Sequence, residues 1–323
     1  MMKRLLFFLL LPWMVSCLDD EPVVCPDTNV ASPYQDPIWH PSGNIIGFNH
    51  TPVKDIEIFG GGKCDISYHV TSKLDSNGYW LINSDGTNKR RISRSRLSQA
   101  AWSPDGTWIV YVVESDIYKI FFDGQTLDSA SAIRLTYEGG NLSPVWNSDG
   151  SSIAYRNTNC GTPTEPKQPN SCGIITMRPD GTDKKLVTEQ QGFHFWGKEP
   201  QFLFVDGKQI NVTDGSQTTV FDFTGQSIAI LSSPAFNRVG TKIGFVGQLL
   251  ENLGTYGEFF VMDPDGNNLQ GSDEPTESFS WSPDGKIVYV RFDGKTVDDQ
   301  MGTLWTMNVD GSEKKQLTFN PTE

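Results

Sequence analysis

Past an apolar leader, the hydrophobic positions of this chain fall in short alternating runs, such as Trp108-Ile109-Val110-Tyr111-Val112 and Lys286-Ile287-Val288-Tyr289-Val290. Alternation with a period of two predicts strands that bury one face, and the Gly, Pro, Asn and Asp clusters bounding the runs predict tight turns rather than helices. A phrase precedes each run. It reads Ile38-Trp39-His40-Pro41-Ser42-Gly43, Ala101-Trp102-Ser103-Pro104-Asp105-Gly106, Val145-Trp146-Asn147-Ser148-Asp149-Gly150 and Ser280-Trp281-Ser282-Pro283-Asp284-Gly285. A weaker copy is Ala235-Phe236-Asn237-Arg238-Val239-Gly240. A second phrase follows in the later half of the units, at Ser84-Asp85-Gly86, Pro179-Asp180-Gly181, Pro264-Asp265-Gly266 and Val309-Asp310-Gly311. An apolar-Ser or apolar-Thr pair often comes next, as in Ile92-Ser93, Leu135-Thr136, Val187-Thr188 and Leu317-Thr318.

Each unit therefore holds four strands. Strand A ends at the aromatic anchor, B is the alternating run, C precedes the second Asp-Gly, and D ends at the apolar-Thr pair. In the Ser-Pro-Asp-Gly phrase, Pro takes φ near −65° and Gly accepts positive φ, which makes a tight antiparallel connection. The anchors are Trp39, Trp102, Trp146, Phe236 and Trp281. The interval from Trp146 to Phe236 is twice the usual one, and Phe193-His194-Phe195-Trp196 supplies the missing copy, with Trp196 as its anchor. Six such units predict an all-β chain, a six-bladed β-propeller of four-stranded antiparallel blades over residues 34–323. One aromatic per unit at a matched position is the pattern of repeat core packing.

Composition narrows the functional classes. Lys and Arg number 26 against 39 Asp and Glu, for a formal charge of −13 in 323 residues. That balance excludes the basic footprint of a nucleic-acid binder. Against this background Lys89, Arg90, Arg91, Arg94 and Arg96 form a basic cluster. It reads either as a charged outer strand that blocks edge pairing or, through Arg94 and Arg96, as a grip on a partner's carboxylate or phosphate.

The repeat phrases resemble the TolB-like, or WD40-like, β-propeller repeat, with its Trp-Ser-Pro-Asp-Gly and Asp-Gly signatures, over roughly residues 36–318. The resemblance implies a propeller in the cell envelope. Relatives of this kind include scaffolds that bind envelope proteins, and propellers attached to peptidase or lyase chemistry, so it leaves function open.

The amino terminus carries a separate message. Lys3 and Arg4 precede an apolar run from Leu5 to Trp13, too short for a permanent span. Met14-Val15-Ser16-Cys17 resembles the lipobox of bacterial lipoproteins, with Met where that family usually has Leu. It implies a signal peptide at 1–16, lipidation of Cys17, and an acylated tether and arm at 17–33. An ordinary secretory leader cut nearby is the alternative. Leu18 after the cysteine implies the outer membrane, on its periplasmic or cell-surface side, and the mature chain is two charges more negative than the precursor. The arm at Asp27–Ser32 is a candidate to pair at the seam between first and last blades.

With Cys17 set aside, four cysteines suit disulfides in an oxidising compartment. Three pairings are possible. Cys160 and Cys172 bracket a proline-rich stretch and are expected to staple one loop, which leaves Cys25 with Cys64. No Cys-x-x-Cys, Gly-x-Ser-x-Gly, His-Glu-x-x-His or phosphate-binding glycine loop occurs, so neither a metal nor a cofactor is expected. His40 reads as a turn residue, and His194 on an inner strand is a candidate to face the channel. His50 and His69, near Asp55, Glu57 and Asp65, read as a polar insertion more readily than as an acid–base or metal cluster.

In a four-stranded meander the A–B and C–D turns share one face, and the B–C and D–A connections share the other. Length variation collects in B–C, at roughly 49–78, 157–173, 247–257 and 292–303. Variable loops on one face commonly carry recognition. The expectation is thus a non-catalytic binding or scaffold module, anchored to the membrane by lipid and engaging an envelope protein or glycan through that loop face, with Arg94, Arg96 and His194 as candidate ligand-binding residues. The alternative is a carbohydrate lyase or hydrolase with its site at the channel mouth.

Overall fold

The computed structural model describes residues 32–59, 67–161, 172–221, 228–232, 234–250, 257–292 and 302–319, with backbone alone for 55–59 and 67–70. Among the described residues there is no α-helix, and strands joined by turns account for nearly all regular structure. The chain begins with β1 (Tyr34–Trp39), β2 (Ile45–His50), the hairpin β3 (Val53–Phe59) and β4 (Ser67–Ser72), then β5 (Gly78–Asn83) and β6 (Arg90–Ser93). The first sheet has the order β1-β2-β5-β6, and the β3–β4 hairpin is an insertion between its second and third strands. Next come β7 (Ser98–Trp102), β8 (Trp108–Val113), β9 (Asp116–Phe122) and β10 (Leu127–Arg134), the second sheet. The third is β11 (Asn141–Trp146), β12 (Ile153–Asn157), β13 (Gly173–Met177) and β14 (Lys185–Thr188). The fourth is β15 (His194–Trp196), β16 (Phe202–Val205), β17 (Lys208–Asn211) and β18 (Gln217–Thr219).

The remaining strands are joined. They are β19 (Ile228–Ile230), β20 (Ala235–Phe236), β21 (Ile243–Leu249), β22 (Glu258–Met262), β23 (Gln270–Trp281), β24 (Ile287–Arg291), β25 (Thr303–Met307) and β26 (Lys315–Gln316). They form one eight-stranded sheet because β23 serves twice. Its first part pairs with β22, Gln270 opposite Val261, and its last part pairs with β24, Trp281 opposite Ile287. The separate fifth and sixth sheets expected from the repeat are thus hydrogen-bonded into one. The sequence explains this locally: after Leu269 no apolar-Thr pair ends strand D, and the chain runs on as strand until the next anchor, Trp281.

Packing between successive sheets forms six hydrophobic clusters. Tyr79 and Leu81 meet Trp102 and Ile109; Val110 and Leu135 meet Tyr155 and Met177; Ile174 meets Trp196 and Leu203. Phe195 and Phe204 meet Phe245 and Phe260, and Phe259 meets Ile287 and Tyr289. The sixth cluster joins the ends of the chain: Tyr34, Trp39 and Phe48 pack against Val288, Leu304 and Leu317. Each fully buried aromatic or aliphatic side chain contributes on the order of 1.5–3 kcal/mol, so the first and last sheets adhere as the others do. At this seam the Trp39 amide donates to Ser280 Oγ at 3.0 Å, and Lys315 Nζ donates to the Asp85 carbonyl at 2.9 Å. Ser32, the start of the described chain, is buried against Gly302; the rest of the arm lies outside the described residues.

The glycines opening strand C have a shared task. Gly78 and Gly173 take φ of +155° and +126°, and a Cβ at either would lie 2.0 Å from the carbonyl oxygen of Ser93 or Thr188 on the neighbouring strand D. Gly173→Ala is therefore expected to destabilise the protein by about 2–4 kcal/mol through strain and displaced backbone. Urea denaturation of the variant checks this, and a loss under about 0.5 kcal/mol would contradict it.

Candidate functional site

The A–B turns form as their residue types dictate. In the second unit the Ser103 amide donates to the Trp108 carbonyl at 2.8 Å and the Gly106 amide to the Ser103 carbonyl at 2.8 Å, with Gly106 at φ +76°. Asp105 accepts from Ser103 Oγ and from the Thr107 amide. Asp149 and Asp284 likewise cap their own turns, through the Ser151 amide and Ser282 Oγ. The C–D turns repeat the design: Gly86, Gly181, Gly266 and Gly311 all have positive φ, and each turn Asp accepts the amide two residues on. His40 is a turn residue that reaches its neighbour. Its Nε2 lies 3.1 Å from the Gly106 carbonyl and its ring meets Trp102 edge-on at 4.8 Å.

These A–B turns ring a cavity of about 300 Å³. The residue following each anchor by two positions lines it in every unit: Pro41, Pro104, Ser148, Lys198, Arg238 and Pro283. Beneath this rim stand five of the six anchors, Trp39, Trp146, Trp196, Phe236 and Trp281. Trp102 is buried beside the first sheet instead. Adjacent anchors are fastened by indole donors: Trp196 Nε1 to the Val145 carbonyl at 3.1 Å, and Trp281 Nε1 to the Ala235 carbonyl at 3.0 Å. The anchors therefore do two things, packing blade against blade and walling the mouth. The lining contains no carboxylate, imidazole or thiol. Its only charges are Lys198 and Arg238, at the two turns where the repeat phrase departs most from Pro-Asp-Gly.

The residues singled out from sequence lie elsewhere. Arg94 and Arg96 are exposed in the connection between β6 and β7, and Arg96 donates to Gln35 Oε1 and, at 3.5 Å, to Thr51 Oγ1. The rest of the basic cluster is tied into the structure. Lys89 Nζ bonds the Tyr34 hydroxyl at 3.2 Å, Arg90 the Gln125 carbonyl at 3.3 Å, and Arg91 the Asp75 carbonyl at 2.7 Å. His194 does not offer its ring to solvent. It is 2% exposed, and burial lowers its imidazole to about 4. His194 is in the fourth sheet and the two arginines are in the connection between the first and second, and none of them lines the cavity.

His50 is likewise buried, stacked on Tyr34 at 4.2 Å, with Nδ1–H donating to the Pro33 carbonyl at 2.8 Å. Burial, against the opposing effect of that carbonyl, lowers it to about 3. The Asp55, Glu57 and His69 side chains and Asp65 lie outside the described residues. Among the described residues no three His, Cys, Asp or Glu side chains gather as a metal site. Cys160 and Cys172 form a disulfide with Cα atoms 4.6 Å apart; Cys17, Cys25 and Cys64 lie outside the described residues. No described helix is long and apolar enough to cross a membrane.

Sequence reasoning missed the rim. The signal was present: reading the residue two after each anchor gives Pro, Pro, Ser, Lys, Arg, Pro, with both cations side by side.

No family model matches this sequence, and no curated protein is detectably similar to it. Solved structures do resemble it. The protein assigned as TolB in Agrobacterium tumefaciens aligns with a TM-score of 0.53 at 16% identity, covering 72% of this chain and 84% of that one. An oligogalacturonate lyase from Vibrio parahaemolyticus aligns with a TM-score of 0.50 at 12% identity, covering 91% and 79%. The β-propeller domain of the Trilobed protease from Pyrococcus furiosus gives 0.47 at 15%, covering 88% and 83%. At such identities the likeness speaks to architecture alone, and with the sheet order above it supports a β-propeller fold for this chain.

Proposed function

We propose that the protein is a lipid-anchored lipoprotein of the bacterial cell envelope whose propeller has six four-stranded blades and binds a partner without catalysis. The six inter-sheet clusters support six blades, β23 serving as the last strand of the fifth and the first of the sixth. The observation that carries the function is the mouth on the A–B turn face. It is a concave aromatic well with a cationic edge and, in its lining, no carboxylate or imidazole to work with Lys198 as an acid–base pair. A lyase or hydrolase would need such groups to converge at one point.

Chain direction gives the well its orientation. β1 runs from Tyr34, on the loop face, to Trp39 at the mouth, so the tether leaves from the opposite end. An acylated Cys17 joined to Ser32 by at most roughly 50 Å of extended chain attaches at the loop-face end and leaves the well, at the other end, open to partners. An envelope protein fits this arrangement, with a glycan as the alternative ligand and nucleic acid excluded by charge. The loop face expected from the sequence to carry recognition is the second candidate surface, on the side opposite the well.

The test uses Ser148→Trp, which fills the exposed rim without removing a core contact. Pull-down from detergent-solubilised envelope is expected to lose the partner with this variant at unchanged melting temperature. Arg94→Gln with Arg96→Gln is expected to retain it. The reverse result would return recognition to the loop face. A glycan array run beside the pull-down separates the two ligand classes.

A further inference from the structure

Two features of the mouth point to the chemistry of what enters it. The first is charge. In a protein of net −13, the only charged side chains in the lining are cations, and they sit on adjacent units. Lys198 lies across Gly240, two residues from Arg238: a Cβ at Gly240 would stand 2.9 Å from Lys198 Cβ and 3.2 Å from its Cδ. Neither cation forms an ion pair with a described residue. Arg238 spends one N–H on the Pro41 carbonyl, 3.2 Å away on the first unit, which draws the guanidinium across the rim and leaves other donors of its fork unbound. Of the turn acids, Asp105, Asp149 and Asp284 are folded back onto Thr107, Ser151 and Ser282 of their own turns; Glu199, exposed next to Lys198 in sequence, is outside the lining and forms no ion pair with either cation among the described residues.

The second feature is shape. The well lies inside a closed ring of turns, so a ligand enters end-on rather than lying across it. Its volume is at the lower limit for a small-molecule site, enough for the end of a chain and too small for a polymer's length. Trp39 and Trp196 are 8% and 7% exposed, and Trp146, Phe236 and Trp281 are half-buried, so the floor of the well is apolar and partly open. Aromatic side chains together with three proline rings suit an aliphatic side chain. A carboxylate above it would meet the guanidinium and the ammonium, a charge-assisted pairing for which Arg supplies two parallel donors.

We propose that the A–B mouth receives the free carboxy terminus of a partner polypeptide, its last apolar side chain among the anchor aromatics and its terminal carboxylate on Arg238 and Lys198. This rests on the binding role assigned to the mouth and deepens it by naming the group bound.

The experiment uses the folded mature chain and a library of hexapeptides with apolar last residues, each made as free acid and as amide, with binding read from tryptophan fluorescence. The free acids are expected to bind about tenfold or more tighter than their amides, the scale of one charge-assisted hydrogen bond. Lys198→Gln and Arg238→Gln should each erase most of that difference, and added salt should narrow it. Lys198→Gln makes the cleaner test, because Arg238 also holds Pro41; melting curves show whether either variant disturbs the fold. Equal binding of acid and amide would overturn the proposal, as would an acid preference that survives both substitutions. Binding of galacturonic acid or of an internal Glu peptide in preference to free termini would also overturn it. If Ser148→Trp abolishes envelope capture while the two cation variants keep it, the mouth remains the binding site and the carboxylate assignment alone fails.

Discussion

Replacing Asp116 by Ala is expected to lower the unfolding free energy by about 3–5 kcal/mol, the usual cost of removing one partner from a buried charged network. Asp116 opens β9 and is 3% exposed. Its Oδ1 accepts from Thr136 Oγ1 at 2.8 Å, Asn141 Nδ2 at 2.8 Å and the Gly139 amide at 3.1 Å, and its Oδ2 accepts from Arg134 Nη2 at 2.6 Å. The network continues outward. Thr136 Oγ1 accepts the Ile117 amide at 2.8 Å, and Asn141 Oδ1 accepts from Asn157 at 2.7 Å. One carboxylate thus fixes the connection from the second sheet to the third, and its loss strands several buried donors. Asp116→Asn, which keeps the acceptor oxygen but adds donors, should lose less. Urea denaturation at pH 7 decides: a change under 1 kcal/mol for Asp116→Ala would show that the connection is held by packing alone.

Acid should unfold the protein well above the pH at which carboxylates titrate. Burial lowers His50 to about 3 and His194 to about 4, from 6.5 in the unfolded chain. Between those values and 6.5 the unfolded chain binds protons that the folded chain refuses. Stability is therefore complete above pH 6.5 and falls as pH drops, by up to about 1.4 kcal/mol per pH unit for each histidine. Asp116 adds to the loss lower down. Burial alone would raise its carboxyl, but the donors from Thr136, Arg134, Asn141 and Gly139 prevail and hold it below 3.8. Its contribution is present above 3.8 and lost as pH falls through the depressed folded value. The urea midpoint measured from pH 7.5 to 4.5 should decline throughout the lower half of that range, and His50→Phe should flatten the decline. A midpoint constant from pH 7 to 5 would mean that the two rings take up protons in the folded state.

Particular residues show how far the sequence could be read. The Pro-Asp-Gly and Asp-Gly turns were legible because their chemistry is local: Pro presets one φ, Gly accepts the left-handed one, and Asp caps an amide two residues away. The anchor Trp196 was legible from the doubled interval between Trp146 and Phe236, since a repeat that stacks on its neighbours cannot skip a unit. The Cys160–Cys172 bond followed from spacing in one loop. The continuity of β23 was not legible, because it depends on whether the backbone after Gln270 finds β22 and β24 both within reach. His194 looked like a channel residue on an inner strand, yet the sheet turns its ring into the interior, where only the neutral form is stable.

The site shows the same division. Which residue types occupy the third position of each turn is written in the chain, and Lys198 and Arg238 are visible there as departures from a repeat. That these positions converge on one rim follows from long-range packing of the first sheet on the last, with Arg238 3.2 Å from a carbonyl nearly two hundred residues earlier. Sequence alone determined the strand pattern, the turn chemistry and the all-β class, because each rests on neighbours a few residues apart. Only the tertiary structure decided which face holds the well, which cations are free of carboxylates and which histidines are kept neutral. Those depend on burial and long-range proximity, and both arise only when the first sheet packs against the last.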